Sequence, residues 1–499
     1  MRIVKRVLST YSADNFGVCS ALYELGGLVV MHDASGCNST YNTHDEPRWY
    51  DMDSLVFISG LTEKNAIFGN DDKLIADLVT AAEEFHPNFI AVCGGPLPHI
   101  IGTDFRAVAK AVERECGIPT FGFQTNGMDS YISGAGQALE ALVSMMGDGI
   151  GRQRESECGS HIKQPIVRGL LTGTNQQRGL EFGSSIKQPI VSDLLGGTNL
   201  QRDPECGNLR QAYSVNILGA TPLDFSLNGS VDVLRNLLEK EGFKVRSTWA
   251  MGDTLENLLS SSDADVNLVV SAVGLRSAVA MEERFGIPYV IGLPAGKRVT
   301  AEIVASMKQK IEVQRGNVDK TLQEKQSGDD DNVQLAEHSE AGDKFLRLKK
   351  SGDGNNVQQA EYSGDEDEVL RAKLSVTDGG DAHSDFLIIG EPVQSLSIRE
   401  TLEGMYPGKC IRIISPMHGL PKEIIDLGCE KIEREDELRE ACRAASLVIA
   451  DSLYARLLPD EADKFVPLPH VAYSGRYYED DVPVLVGEAL DNWVIRNLL

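Results

Sequence analysis

Two cysteines follow runs of β-branched residues: Val29-Val30-Met31-His32-Asp33-Ala34-Ser35-Gly36-Cys37 and Ile90-Ala91-Val92-Cys93-Gly94-Gly95-Pro96. Each run reads as a strand entering a turn, with the cysteine at the strand's C-terminal end. In open α/β sheets that end faces the crevice in which ligands bind. A thiolate there is a ligand for a soft metal or an iron–sulfur cluster. An isolated cysteine is more often a small core residue, but the neighbouring glycines weigh against that reading. Gly36 before Cys37 and Gly94-Gly95 after Cys93 predict uncrowded backbone, whose N–H groups are open to anionic sulfides. A third thiol, Cys19 in Phe16-Gly17-Val18-Cys19-Ser20, is expected at a helix start, where a thiolate is stabilised. No Cys-x-x-Cys pair occurs among the nine cysteines, so a site must be assembled from distant segments or from two subunits. The odd number predicts free thiols or metal ligands rather than a disulfide framework.

Three blocks of alternating strands and helices are expected to position these residues, as in parallel sheets flanked by helices. The first, residues 1–150, carries helix 73–86, strand 89–93, helix 105–116 and strand 119–124. The second, 213–311, runs strand 214–219, helix 231–241, strand 244–249, helix 254–260, strand 266–271, helix 276–285 and strand 288–292. The third, 385–499, has strands at 386–390, 409–415 and 447–451 and helices at 398–406 and 438–444. The fold class is therefore α/β: three Rossmann-like, doubly wound parallel-sheet domains around a central cleft. Residues 151–212 and 312–384 separate the blocks and are internally repetitive. Ile162-Lys163-Gln164-Pro165-Ile166-Val167 returns as Ile186-Lys187-Gln188-Pro189-Ile190-Val191, and Ser327-Gly328-Asp329 as Ser351-Gly352-Asp353, both offset by 24 residues. Two copies are too few for a solenoid. The first segment reads as a repetitive linker and the second as an acidic, low-complexity insert. Cys158 and Cys206 fall in the first.

The chain has 499 residues and a net charge of −26. A sequence-independent nucleic-acid binder needs a basic footprint, so that class is excluded. No apolar run is long enough to span a membrane, and the basic start Met1–Arg6 is followed by polar residues rather than a signal-peptide core. A cytoplasmic protein is expected. Gly292-Leu293-Pro294-Ala295-Gly296-Lys297 lacks the spacing and the Ser or Thr of a phosphate loop. There is also no dinucleotide fingerprint and no nucleophile elbow. Gly134-Ala135-Gly136 reads as weak evidence of anything. Of the histidines, His32 reads with Asp33 as closing the turn before Cys37. His99, His418 and His470 are cleft candidates, and His470-Val471-Ala472-Tyr473-Ser474-Gly475-Arg476 is the best anion-binding stretch. The polar run 38–46 is either cleft lining or a solvated loop.

Taken in order, Cys19, His32-Asp33-x-x-Gly36-Cys37, Thr62-Glu63-Lys64-Asn65-x-x-Phe68-Gly69 and Cys93-x(8)-Gly102-Thr103-Asp104 resemble the nitrogenase component-one superfamily. Val215-Asn216-Ile217-Leu218-Gly219 and Met281-Glu282-Glu283-Arg284-Phe285-Gly286-Ile287-Pro288 extend the resemblance into the second block. The superfamily includes nitrogenase, the dark-operative protochlorophyllide reductase, a reductive cyclase of nickel-tetrapyrrole synthesis and cofactor-assembly scaffolds. Two departures stand out. The segment before Cys37 lacks the usual Gly-Pro, and Ile101-Gly102-Thr103-Asp104 lacks one acid.

The resemblance implies that Cys37 and Cys93 hold an iron–sulfur cluster at a subunit interface, with Cys19 as a third ligand, although Cys19 lies closer to Cys37 than is usual. Two thiolates from each subunit of a homodimer, or of a heterodimer with a similar subunit, make the set for one [4Fe–4S] cluster. Three each would suit a larger cluster. The nitrogenase cofactor needs a cysteine before the Met-Glu-Glu helix, and here Asn267–Ala272 has no thiol. No iron–molybdenum cofactor and no dinitrogen reduction are therefore expected. The implied function is a nitrogenase-like oxidoreductase component, taking electrons from a separate ATP-dependent iron–sulfur reductase and passing them to an organic or tetrapyrrole-like guest of the cleft. A scaffold for metallocluster assembly and a binding protein without turnover are the alternatives.

Overall fold

The computed structural model describes residues 8, 11–41, 45–69, 71–147, 213–327 and 384–498, with residues 37–38 and 317–327 as backbone alone. The 24-residue repeats, Cys158 and Cys206 lie outside the described residues, as do most of the two separating segments.

The β-branched runs form three parallel sheets. The first contains β1 (Leu28–His32), β2 (Val56–Ile58), β3 (Ile90–Gly94) and β4 (Thr120–Gly122), in the order β2-β1-β3-β4. The second contains β5 (Tyr213–Leu218), β6 (Phe243–Thr248), β7 (Val266–Val269) and β8 (Tyr289–Ile291), in the order β6-β5-β7-β8. The third contains β9 (Ser384–Ile389), β10 (Ile411–Ser415), β11 (Glu430–Lys431), β12 (Ala445–Ala450) and β13 (Phe465–Pro467), in the order β11-β10-β9-β12-β13. Each sheet is wound outward in both directions from its middle, as expected of doubly wound α/β folds. The strand order reverses between β1 and β3, between β5 and β7, and between β9 and β12. Ligands of such sheets bind beyond the strand C-termini at these reversals.

Strand alternation assigns the faces of the first sheet. Leu28, Val30, Ile90 and Val92 pack with Leu74, Leu78, Phe105, Val108 and Val112 on one side. Val29, Met31, Ala91 and Cys93 join the larger core on the other, under helices Asp14–Leu22 and Tyr131–Met145. Each fully buried side chain of this kind contributes about 1.5–3 kcal/mol. Helix Phe105–Cys116 begins where Asp104 accepts from the N–H groups of Arg106 and Ala107, and ends at Gly117 with φ of 71°. These are the start and stop signals the sequence displays.

Three elements differ from expectation. Helix Pro392–Met405 starts well before residue 398, because the Glu391 side chain caps Gln394 N and Pro392 occupies the first turn. Helix Lys297–Ser327 continues through residues assigned to the acidic insert. Helix Tyr131–Met145 contains the discounted Gly134-Ala135-Gly136. A Cβ on Gly134 would lie 1.8 Å from the Asp14 carbonyl oxygen, and one on Gly17 2.3 Å from that of Tyr131. The glycines thus permit two helix backbones to touch, a role that hydrophobic periodicity does not reveal.

Candidate functional site

The first reversal is where the cysteines gather. In the β1–β3 ladder Met31 pairs with Cys93 and His32 with Gly94. Cys93 therefore lies one residue from the end of β3, beside the strand that leads into the turn Ser35–Asn38, which holds Cys37. The Cys37 side chain lies outside the described residues. Cys19 reaches the same place from helix Asp14–Leu22, and both it and Cys93 are 0% exposed. The Cys93 thiol lies 3.7 Å from the Asn15 carbonyl oxygen. Its hydrogen bond with Cys19, reinforced by burial, holds it well above the ordinary thiol range. Two thiols from segments far apart in sequence thus meet, as a shared ligand would require. Among the described residues no group of three His, Cys, Asp or Glu side chains is arranged to hold a metal ion.

Two local readings need correction. Cys19 lies in the second turn of its helix rather than at its start, so helix-terminal N–H groups do not face it. The backbone at Gly94-Gly95 is also not open. Gly94 N donates to Thr125 Oγ1 at 2.8 Å. A Cβ on Gly94 would meet the Phe105 ring at 2.3 Å, and one on Gly95 would meet Asp33 Oδ2 at 2.0 Å. Gly36 behaves as expected, with nothing within 4 Å of a Cβ built on it. His32 and Asp33 do close the turn. His32 Nδ1 bonds Ser59 Oγ at 2.8 Å, Asp33 Oδ1 accepts from Ala34 N at 2.7 Å, and the Asp33 carbonyl accepts from Leu61 N. Asp33 Oδ2 is buried without a hydrogen-bond partner.

The polar run after Cys37 is divided where it is described: Ser39 and Thr40 are exposed, whereas Tyr41, Asp45 and Glu46 are buried; Asn42, Thr43 and His44 lie outside the described residues. Glu46 is fully buried against Arg48, a pairing that the sequence reading missed. Arg48 Nε lies 2.7 Å from Glu46 Oε1, Nη1 2.8 Å from Glu24 Oε1 and Nη2 2.7 Å from the Ser20 carbonyl. Its reach to the Ala250 carbonyl at 3.3 Å ties this turn to the second sheet.

The other two reversals meet in a cavity. Asp224 follows β5, Glu391 follows β9 and Asp451 follows β12; these and His470 line it. About 30 Å³ is open to the centres of water molecules, room for one or two waters and not for a tetrapyrrole. Asp224 bonds Tyr131 Oη through Oδ1 and accepts from Thr221 Oγ1 at 2.8 Å through Oδ2. Glu391 accepts from Ala272 N at 2.8 Å and Gln394 N at 2.7 Å. Burial, aided by the Asp224 carboxylate, nevertheless pushes its pKa up to about 8. Asp451 accepts from His470 N at 2.9 Å and Ser474 Oγ at 2.8 Å. His470 Nε2 stands 3.4 Å from Asp224 Oδ1, an ion-pair distance, but makes no aligned hydrogen bond.

Of the cleft histidines only His470 lines this cavity. His99 is exposed, and His418 Nδ1 lies 2.9 Å from Glu433 Oε1. The anion-binding reading of 470–476 fails, because the Arg476 guanidinium stacks on Tyr50 at 4.9 Å and no lysine or arginine lines the cavity.

Three doubly wound sheets, with thiols at one strand-order reversal and a polar cavity at the other two, define a three-sheet α/β protein. The model of nitrogenase component 1 type oxidoreductases matches residues 16–350, more than half of the chain, and the chain belongs to that family. The nitrogenase molybdenum-iron protein alpha chain of Clostridium pasteurianum is 25% identical over 48% of this chain and 34% of its own length. The nitrogenase iron-molybdenum cofactor biosynthesis protein NifE of the same organism is 25% identical over 47% of this chain and 38% of its own. One subunit of the light-independent protochlorophyllide reductase of Nostoc punctiforme is 36% identical over 21% of this chain and 21% of its own. The matches thus span well under half the length of these relatives. A solved structure of nitrogenase Cp1 at pH 6.5 aligns with 99% of this chain and 94% of its own at a TM-score of 0.55 and 13% identity, a likeness of fold. No described helix is long and apolar enough to cross a membrane.

Proposed function

We propose that this chain is the electron-accepting component of a nitrogenase-like two-component reductase, with Cys37 and Cys93 as its ligands for a [4Fe–4S] cluster shared with a second, identical or similar subunit, and with Cys19, which contacts Cys93, as the further ligand that a larger cluster would use. The observation that carries the reading is the meeting of Cys19 and Cys93 at the strand-order reversal next to the Cys37 turn. When bound, the cluster would supply one-electron chemistry at a potential set by its surroundings. The chain's own residues do the rest. Cys93 and Cys19 hold their thiols together and away from water. Asp33, His32 and Ser59 fix the turn carrying Cys37.

The surface beside that turn supports a partner subunit. Helix Glu63–Phe68 follows the Leu61–Asp33 hydrogen bond, and helix Pro96–Ile101 follows Gly95. Between them they expose Ile67 at 68%, Phe68 at 80% and Ile100 at 74%. Clustered apolar exposure of this kind marks an interaction surface. The electron donor in this reading is an ATP-dependent iron–sulfur reductase, and the electrons pass to a guest of the cavity between the second and third sheets. Ser271-Ala272 contributes a backbone N–H to Glu391 where nitrogenase's cofactor would need a thiol. With three carboxylates and no thiol, this cavity does not suit an iron–molybdenum cofactor, and we assign the chain no dinitrogen chemistry.

Metallocluster assembly is the second reading, favoured by the similarity to the biosynthesis protein NifE. Anaerobic reconstitution with iron and sulfide tests the cluster assignment. Iron and, after one-electron reduction with dithionite, an iron–sulfur electron paramagnetic resonance signal are expected in the unmodified chain and lost in C93S and C37S. Equal iron uptake by these variants contradicts the assignment. Repeated oxidation of the cluster with a partner reductase and substrate separates a catalyst from a scaffold.

A further inference from the structure

The cavity between the second and third sheets combines features that no role above uses. Its polar wall has three carboxylates, Asp224, Glu391 and Asp451, and one histidine, with no lysine or arginine. His470 is only 7% exposed, and its Nε2 is buried without a hydrogen bond. Ala472 N donates to Nδ1 at 3.2 Å, so Nε2 is the ring nitrogen left to donate, and it lies in the cavity wall without an aligned hydrogen bond. Asp224 Oδ1, an acceptor, stands 3.4 Å from it. A buried donor without a partner costs about 1–3 kcal/mol, a cost that a bound molecule with an acceptor atom removes.

We propose that this cavity binds a small uncharged molecule carrying a hydrogen-bond acceptor and a donor side by side, as a primary amide does, with His470 Nε2–H donating to the acceptor and Asp224 receiving the donor. An anion is rejected because it would lie against Asp224 and Asp451 with no positive charge to offset burial. Glu391, neutral below about pH 8, leaves an uncharged wall opposite. The available space limits the guest to a few heavy atoms. The proposal rests on the reading of this cavity as the guest site and names the class of guest. It does not depend on electron delivery.

Formamide and formate serve as probes, being nearly the same size and differing in charge. In the full chain, oxidised and free of iron, saturation-transfer NMR at pH 7 should show transfer to the formamide C–H proton and none to formate. Selective ¹⁵N-histidine labelling should show the His470 Nε2 resonance shifting with formamide. Formamide should bind at least about tenfold more tightly than formate, H470Q should lose the formamide signal, and D224N should admit formate. Equal binding of the two probes by the unmodified chain, an unmoved His470 resonance, or formamide binding unchanged in H470Q overturns the proposal. The first two outcomes need no variant to fold. They also leave the cluster assignment intact, since no metal or reductase takes part.

Discussion

At the scale of single residues, Cys93 and Glu391 share one physical theme: their surroundings favour the uncharged form. The Cys19 contact and burial keep the Cys93 thiol protonated at neutral pH, whereas the nucleophilic form is the thiolate. In the iron-free chain iodoacetamide should label exposed Cys410 within the time that leaves Cys93 unreacted; peptide mass spectrometry at pH 8 checks this, and labelling of Cys93 first would contradict it. Glu391 yields a second expectation. Its pKa rises from 4.5 in the unfolded chain to about 8 in the folded one. Below 4.5 both states hold the proton. Above it the unfolded chain releases the proton first, so this group's contribution to stability falls as pH rises from about 4.5 to about 8, then levels off. E391Q should flatten that part of the Tm-against-pH curve, and an unchanged slope would show that Glu391 ionises normally.

At the scale of elements, the thiol pair depends on how closely two helices approach. Helix Asp14–Leu22 carries Cys19, and its contact with helix Tyr131–Met145 leaves no room for a Cβ at Gly134. G134A should cost about 1–3 kcal/mol in urea unfolding and, by displacing Cys19, make Cys93 more reactive to thiol reagents. Arg48 acts similarly between sheets. R48A strands Glu46 and Glu24 in the interior and should cost about 3–5 kcal/mol, with R48K recovering little because it lacks the planar fork. A loss below 1 kcal/mol would place Arg48 at a solvated surface. The sequence displays most of this architecture where local chemistry is strong. Helix Phe105–Cys116 is legible to the residue because Asp104 and Gly117 punctuate it, and β3 because Ile90–Val92 is β-branched or small throughout. Backbone contacts are less legible. Gly134 carries no local signal of a helix contact, Gly94-Gly95 reads as open although Phe105 and Asp33 fill the space, and the Asp224–Glu391–His470 cavity joins residues whose proximity only the packing of separate sheets creates.

At the scale of the whole molecule, the family assignment and the three sheets agree, while the size and charge of the cavity narrow what the molecule can act on. A tetrapyrrole or an anionic cofactor would require the seam between the second and third sheets to open. The exposed Ile67, Phe68 and Ile100 beside the Cys37 turn lead to the expectation of association through that edge. I67D/I100D should shift the chain toward monomer in sedimentation without lowering its Tm; an unchanged association state would move the interface elsewhere. The central claim is that Cys93 and Cys37, with Cys19 packed against Cys93, supply this chain's share of a [4Fe–4S] cluster held between two subunits. Native mass spectrometry of the anaerobically reconstituted chain tests it most directly. The account predicts a dimer carrying about four irons and four sulfides, with both the cluster mass and the dimer lost in C93S. A monomer carrying a complete cluster, or a C93S dimer retaining its iron, would contradict it.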